Sequence, residues 1–207
     1  MNIEIRGKDM NRLSTANKGK DAWLNDQLVD AYGLMIARRS IEGFGPNSAH
    51  RPVHVFSSHF MDKLIGKDPI TKEWKGDFDY EGVQGWSKRC RWCKGDLFKL
   101  GKLFIPIHAD ECQHWVLACI DFEKKEFIYR NSFDSKKTKQ RAGEYFISYV
   151  KRYLKREVQK IWENEEDAAK MAADIDTWKT SYWVEGQPLQ TNGHDCGIFV
   201  LMTESYL

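Results

Sequence analysis

Apolar positions recur along the chain in two rhythms. From Trp23-Leu24-Asn25-Asp26 onward, Leu28, Tyr32 and Met35 follow at helical spacing. Asp26 reads as the N-cap, and Arg38-Arg39 suits the negative end of the helix dipole. Val55 to Ile65 also reads as helix through Phe56, Phe60 and Leu64. Arg141 to Trp162 is a long amphipathic helix with Tyr145, Tyr149 and Tyr153 on one face. Between these lie Leu103 to Ile107, Trp115 to Ile120 and Glu126 to Tyr129. They read as consecutive strands, the second and third joined by a charged turn near Glu123 to Lys125.

The remaining stretches carry weaker signals. Ile3-Glu4-Ile5 reads as a short strand, and residues 40–52, with Gly43, Gly45, Pro46 and Asn47, as a loop. Residues 66–96, rich in Gly, Lys and Asp, read as a long irregular segment with one short helix near Trp86. The acidic run Glu163 to Asp167 is a solvated face that continues or caps the long helix. Trp183-Val184 and Pro188-Leu189 look extended, and Asn192-Gly193 turns the chain. Cys196 then opens a final apolar helix through Ile198, Phe199, Leu201 and Met202. Helix, strands, then helices is the α+β class, here as one domain over 1–207.

Composition narrows the function classes. With 42% hydrophobic residues the 207-residue chain can bury a core, and eight Trp imply an aromatic core or an aromatic-lined cleft. A net charge of +2 gives no footprint for nucleic acid. No apolar run spans a bilayer and no N-terminal apolar segment marks secretion, so the expectation is a soluble, intracellular protein. Five cysteines are too few for a disulfide scaffold at this size and fit a reducing compartment.

Cys196 sits where the turn gives way to the last helix, with Asp195 as N-cap type. The helix N-terminus there would stabilise a thiolate, against an ordinary thiol pKa of about 8.5. A small buried core residue is the competing reading. His114 immediately precedes the strand Trp115 to Ile120. A hairpin centred between Phe122 and Glu123 brings Asn131 to face it; one centred on Lys124 brings Asp134. Either accepts from the imidazole and orients it, the third role in a Cys/His arrangement. Gln190, six residues before the cysteine, is an amide of the type that holds an oxyanion. Cys90-x-x-Cys93 with His108, Cys112 and His114 supplies zinc-ligand types, but no clean second pair completes a site.

Three segments together carry a resemblance: Trp23-Leu24-Asn25-Asp26, His114-Trp115, and the box Gln190-Thr191-Asn192-Gly193-His194-Asp195-Cys196-Gly197. With Val53 to Leu64 and Leu103 to His108, they resemble the ubiquitin-like protease family, also called sentrin-specific or SUMO proteases. That resemblance implies a papain-like, adenain-like fold with a central mixed sheet flanked by helices. It implies Cys196 as nucleophile, His114 as base and Gln190 as oxyanion donor. Trp23 and Trp115 would roof a tunnel around the Gly-Gly tail of a ubiquitin-like modifier, SUMO favoured, and Asp26 would pair with an Arg of that modifier. The implied reaction is precursor processing or release from lysine, by a monomer without metal or cofactor, in nucleus or cytoplasm.

The chain departs from the family pattern twice. Asn131 stands where the family has an aspartate, and an amide orients a ring without charging it. A catalytically weak, modifier-binding domain is therefore the alternative. Only eleven residues follow Cys196, so the expectation is a truncated C-terminal part with reduced stability.

Overall fold

The computed structural model describes residues 3–14, 22–43, 51–68, 70–90, 92–109, 113–133 and 136–207. Helix α1 (Gly7–Asn11) precedes α2 (Asp26–Glu42), strand β1 (Val53–Val55), α3 (His59–Ile65) and α4 (Tyr80–Val83). Strands β2 (Lys102–Ala109), β3 (His114–Asp121) and β4 (Glu126–Arg130) follow. The chain then runs through α5 (Lys136–Ile161), α6 (Glu165–Thr177), β5 (Lys179–Ser181) and α7 (Cys196–Tyr206).

The five strands form one mixed sheet in the order β1-β2-β3-β4-β5. The outer pairs are parallel and the inner hairpins antiparallel. All eight residues of β3 are buried, as befits the centre of a sheet covered on both faces. The period-two alternation divides them. Val116, Ala118 and Ile120 face a core built with α3, α4, α5 and α6; Trp115, Leu117 and Cys119 face a smaller core under α2 and α7. The larger core holds most of the aromatic content, with Phe60, Tyr153 and Phe127 fully buried. In the smaller one α2 lies close on β1: a Cβ at Gly33 would come within 2.7 Å of Val55 Cγ1.

Several sequence expectations change. Ile3-Glu4-Ile5 is not a strand; the first element is α1. Val55, read as the head of the helix that runs to Ile65, instead closes strand Val53–Val55, because its backbone is claimed by parallel pairing with Lys102 to Phe104. Asp26 is the first helical residue of α2 and not its cap. Asn25 caps, its Oδ1 accepting from Leu28 N at 3.2 Å, so the Asp26 carboxylate is not needed as the cap. Met35 is 65% exposed and lies off the buried stripe that Leu28, Val29 and Ile36 define.

The acidic run neither caps nor extends α5. Asn164 accepts from the backbone N–H groups of Glu166 and Asp167 and starts α6, whose acidic first turn suits the helix dipole. The strand expected near Trp183-Val184 lies slightly earlier, at Lys179–Ser181. Within residues 66–96 the regular pieces are α4 and a 3₁₀ turn, Ser87–Arg89, beside Trp86. Gly45, Pro46, Asn47, Cys112 and Asp134 lie outside the described residues. No described helix is long and apolar enough to cross a membrane.

Candidate active site

The Asn192 turn sets the start of α7. Its Oδ1 accepts from the backbone N–H groups of His194 and Asp195, both at 3.0 Å, and its Nδ2 donates to Asp195 Oδ2 at 2.6 Å. Asp195 holds the N-cap position, but its carboxylate serves Asn192 instead of the helix N–H groups. Cys196 follows as the first helical residue, 3% exposed. A Cβ on Gly197 would approach Leu24 Cβ to 2.9 Å, so only glycine lets α7 seat against the Trp23-Leu24 segment.

Two indoles tie that segment across the molecule. Trp23 Nε1 donates to Gly193 O at 3.0 Å, and Trp115 Nε1 donates to Leu24 O at 2.9 Å. The WLND segment, the start of β3 and the cysteine box therefore meet in one place. Trp23 is half-buried and Trp115 is 4% exposed. Both indoles line a cleft of about 370 Å³ whose rim also carries Asp26 and His59.

His114 opens β3. The hairpin register pairs Asp121 with Glu126 and Leu117 with Arg130, so the turn is centred between Glu123 and Lys124. That centre lies between the two positions considered from sequence, and continuing it sets residue 133 opposite His114. Phe133 does stack on the imidazole, with centroids 4.0 Å apart and planes 16° from parallel. The strand ends at Arg130, however, and Asn131 turns inward, its Oδ1 2.9 Å from His114 Nε2.

The same Asn131 oxygen accepts from Phe133 N at 2.9 Å, which identifies it as the carbonyl of the amide. His114 Nε2 must then carry the hydrogen, and Nδ1 presents a lone pair. The tautomer is fixed by a neutral partner.

Electrostatics follow from burial. His114 lies below its ordinary value, chiefly through burial; the Asn131 bond offsets part of this and His108 adds to it. The Cys196 thiol is pushed up, again by burial first, although the Trp115 and Gly197 N–H groups favour its anion. The expected helix-terminus stabilisation of a thiolate is thus outweighed. Both shifts favour the uncharged forms of the two side chains.

Gln190 is held from two sides. Its Oε1 accepts from Ser132 Oγ at 2.5 Å, its backbone N–H donates to Ser132 O at 3.0 Å, and its Nε2 donates to Asn192 O at 2.7 Å. One Nε2 hydrogen is left beyond that bond. Gln187 Nε2 donates to Asn131 O at 2.7 Å, so the stretch before the cysteine box is stitched to Asn131 and Ser132. Sequence reasoning missed Ser132, Phe133 and Gln187; the first two follow Asn131 directly, but nothing local marks Gln187.

Cys90 and Cys93 lie in the larger core, 3% and 0% exposed, bonded to each other's backbone atoms. His108 instead packs its ring on Trp115. Among the described residues no three His, Cys, Asp or Glu side chains converge as a metal site requires.

The sequence profile of the Ulp1 protease family, C-terminal catalytic domain, matches residues 22–207. The chain belongs to the Ulp1 protease family. It is 29% identical over 200 residues to ubiquitin-like-specific protease 1A of Arabidopsis thaliana, covering 97% of this chain and 34% of that protein. To ubiquitin-like-specific protease 1 of Saccharomyces cerevisiae it is 29% identical over 205 residues, covering 99% and 26%. To human sentrin-specific protease 5 it is 29% identical over 196 residues, covering 93% and 20%. The chain thus spans well under two thirds of the curated relatives it matches.

The family fold is equally plain. The C-terminal Ulp1 protease domain solved in complex with Smt3, the yeast ortholog of SUMO, superposes with a TM-score of 0.65 at 26% identity. That alignment covers 99% of this chain and 72% of the other. The SUMO protease Ulp1 with its catalytic cysteine oxidised to a sulfonic acid gives 0.66 at 25% identity, covering 100% and 74%. The expected α+β arrangement, a mixed sheet between helices, is the one found.

Proposed function

We propose that this chain is a thiol protease that cleaves after the C-terminal Gly-Gly of a SUMO-type ubiquitin-like modifier, in its precursor or its lysine conjugates. The observation that carries the reading is the fixed His114 tautomer. Its Nε2–H is committed to Asn131, so Nδ1 takes the proton from the Cys196 thiol. The sulfur then attacks the glycine carbonyl carbon. Gln190 Nε2–H and the Cys196 backbone N–H hold the resulting oxyanion. His114 Nδ1–H protonates the leaving amine as the C–N bond breaks, and water hydrolyses the thioester, returning thiol and neutral imidazole.

Trp23 and Trp115 fit the tail-binding role, since residues without side chains pass most readily beneath close indoles. Asp26, on the rim of the same cleft, serves as a docking carboxylate for the modifier body. None of these steps calls on a metal or cofactor. Such a substrate places the protein inside the cell, in nucleus or cytoplasm. The downward shift of His114 and the upward shift of Cys196 both run against a preformed ion pair.

A SUMO bearing a C-terminal electrophile tests the reading directly. A covalent adduct is expected with the wild type and not with Cys196→Ala; tight binding without any adduct would overturn the enzymatic function. Ubiquitin and Nedd-like electrophiles run alongside identify the modifier.

A further inference from the structure

The carboxylate of Asp26 is already engaged. His59, the first residue of α3, places Nε2 at 3.2 Å from Asp26 Oδ2 and Nδ1 at 3.8 Å from Asp62 Oδ2. A neutral imidazole has one N–H and one lone pair, and a lone pair facing a carboxylate oxygen is repelled. With a carboxylate at each nitrogen, the ring is held as the imidazolium. Its pKa is accordingly raised to about 10, the Asp26 bond contributing most, then Asp62, with Asp30 adding from one turn further along α2.

The row continues inward. Lys67 Nζ lies 3.0 Å from Asp62 Oδ1 and donates to His108 O at 2.8 Å, with its side chain 7% exposed. Charges therefore alternate in the order Asp26, His59, Asp62, Lys67. The outer members are open, His59 at 59% and Asp26 at 39% side-chain exposure; Asp62 at 29% is less so, and Lys67 at 7% is covered. The remaining charged groups at this cleft are Arg12 and Lys72. The outer pair is the more accessible to an arriving protein.

We propose that His59 is a specificity-determining residue: an internal counter-ion that a basic side chain of the modifier must displace from Asp26 when it docks. This rests on the reading of Asp26 as a docking carboxylate. Displacement does not strand the imidazolium, because Asp62 already faces its other nitrogen. Docking then swaps one cation for another at Asp26, and the net gain is small. His59 also attracts a neutral or acidic residue at that spot. It therefore flattens the difference between modifiers with basic and non-basic docking faces.

The test uses SUMO and the Cys196→Ala protein, in which cleavage cannot interfere, with Kd measured by calorimetry. Adding His59→Gln is expected to tighten binding about twofold to fivefold, the range exposed ion pairs reach. The gain should vanish when Asp26→Asn is present as well. His59→Lys, which keeps a cation, should leave Kd near the starting value and so separates charge from packing. In parallel, the His59 ring resonances followed against pH should titrate high in the starting protein and lower in Asp26→Asn.

Unchanged or weaker binding in His59→Gln, while SUMO still binds, overturns the proposal alone; so does an ordinary His59 titration. If SUMO binds none of these proteins and the wild type forms no adduct with the SUMO electrophile, the functional reading falls and the docking role falls with it.

Discussion

Asn131 holds His114 through an oxygen that also accepts the backbone N–H of Phe133, so one neutral amide sets both the tautomer of the base and the bend after β4. An aspartate at this position would set the same geometry and add a charge. Asn131→Asp is expected to raise the His114 pKa and bring the Cys–His pair toward thiolate and imidazolium. In the wild type, alkylation of Cys196 by iodoacetamide should rise continuously with pH through neutrality. In Asn131→Asp the reactive range should extend to lower pH, and kcat/KM for a fluorogenic SUMO conjugate should rise on the order of tenfold or more. Unchanged profiles would remove Asn131 from the positioning role.

In the proposed mechanism Ser132 acts on the oxyanion through Gln190, whose Oε1 it holds. Without its hydroxyl, the Gln190 Oε1 loses a fixed partner and the amide can rotate. Ser132→Ala should lower kcat about tenfold with little change in KM, less than the ~10²-fold loss that removing an oxyanion donor outright produces in Gln190→Ala. The two losses should not multiply in the double variant. Full multiplicativity, read from steady-state kinetics, would show that Ser132 does not work through Gln190.

Gly197 faces opposing effects. Alanine gains about 1 kcal/mol of helix propensity, but its methyl would meet Leu24 at 2.9 Å, and such overpacking costs about 1–3 kcal/mol. The clash is expected to win. Leu24 carries the carbonyl that Trp115 Nε1 binds, so displacement spreads to the cleft that Trp23 and Trp115 line. Gly197→Ala should lower Tm and weaken SUMO binding together; a higher Tm with intact binding would show that the segment yields freely.

Glu204 is buried at 3% exposure on α7, and among the described residues neither carboxylate oxygen has a hydrogen-bond partner. Burial, with Asp30 on α2 adding repulsion, raises its pKa well above the ordinary range; the Cys119 thiol of β3 is also a neighbour. The folded state therefore holds a proton that the unfolded chain releases at lower pH. Its stabilising effect is present below the unfolded pKa and lost as pH rises toward the folded one. Glu204→Gln cannot ionise, so its Tm should fall less than the wild type's between roughly pH 5 and 8. Parallel curves would mean that Glu204 is charged and paired in solution.

The strands and their hairpins were legible because their signals are local: Leu103 to Tyr129 alternates on a buried sheet and turns at charged residues. β1 was not, since Val53–Val55 is defined by partners some fifty residues away, and the helical spacing of Phe56, Phe60 and Leu64 extends misleadingly back over it. The α6 start was present in sequence as Asn164 before three acidic residues, but a charge run alone does not distinguish a capped helix from a solvated face.

In the site, the cysteine box, HW pair and WLND segment meet through the Trp23–Gly193 and Trp115–Leu24 bonds. Their orientation depended on where a four-residue turn centres, a shift too small for hydrophobic pattern to resolve. The His59–Asp26 pairing was invisible because two separate segments, α2 and α3, supply the charges.

The bond from Trp23 to Gly193 links positions 170 residues apart, and that from Trp115 to Leu24 spans 91. Contacts so distant along the chain form late and slowly. During synthesis the sheet's β2–β4 meander can assemble while α7, which carries the Cys196 thiol, is still inside the ribosome. On the proposed function, a nascent or prematurely ended chain lacking α7 is chemically silent toward modifiers it meets, and proteolytic competence waits until the two far parts of the polypeptide have met.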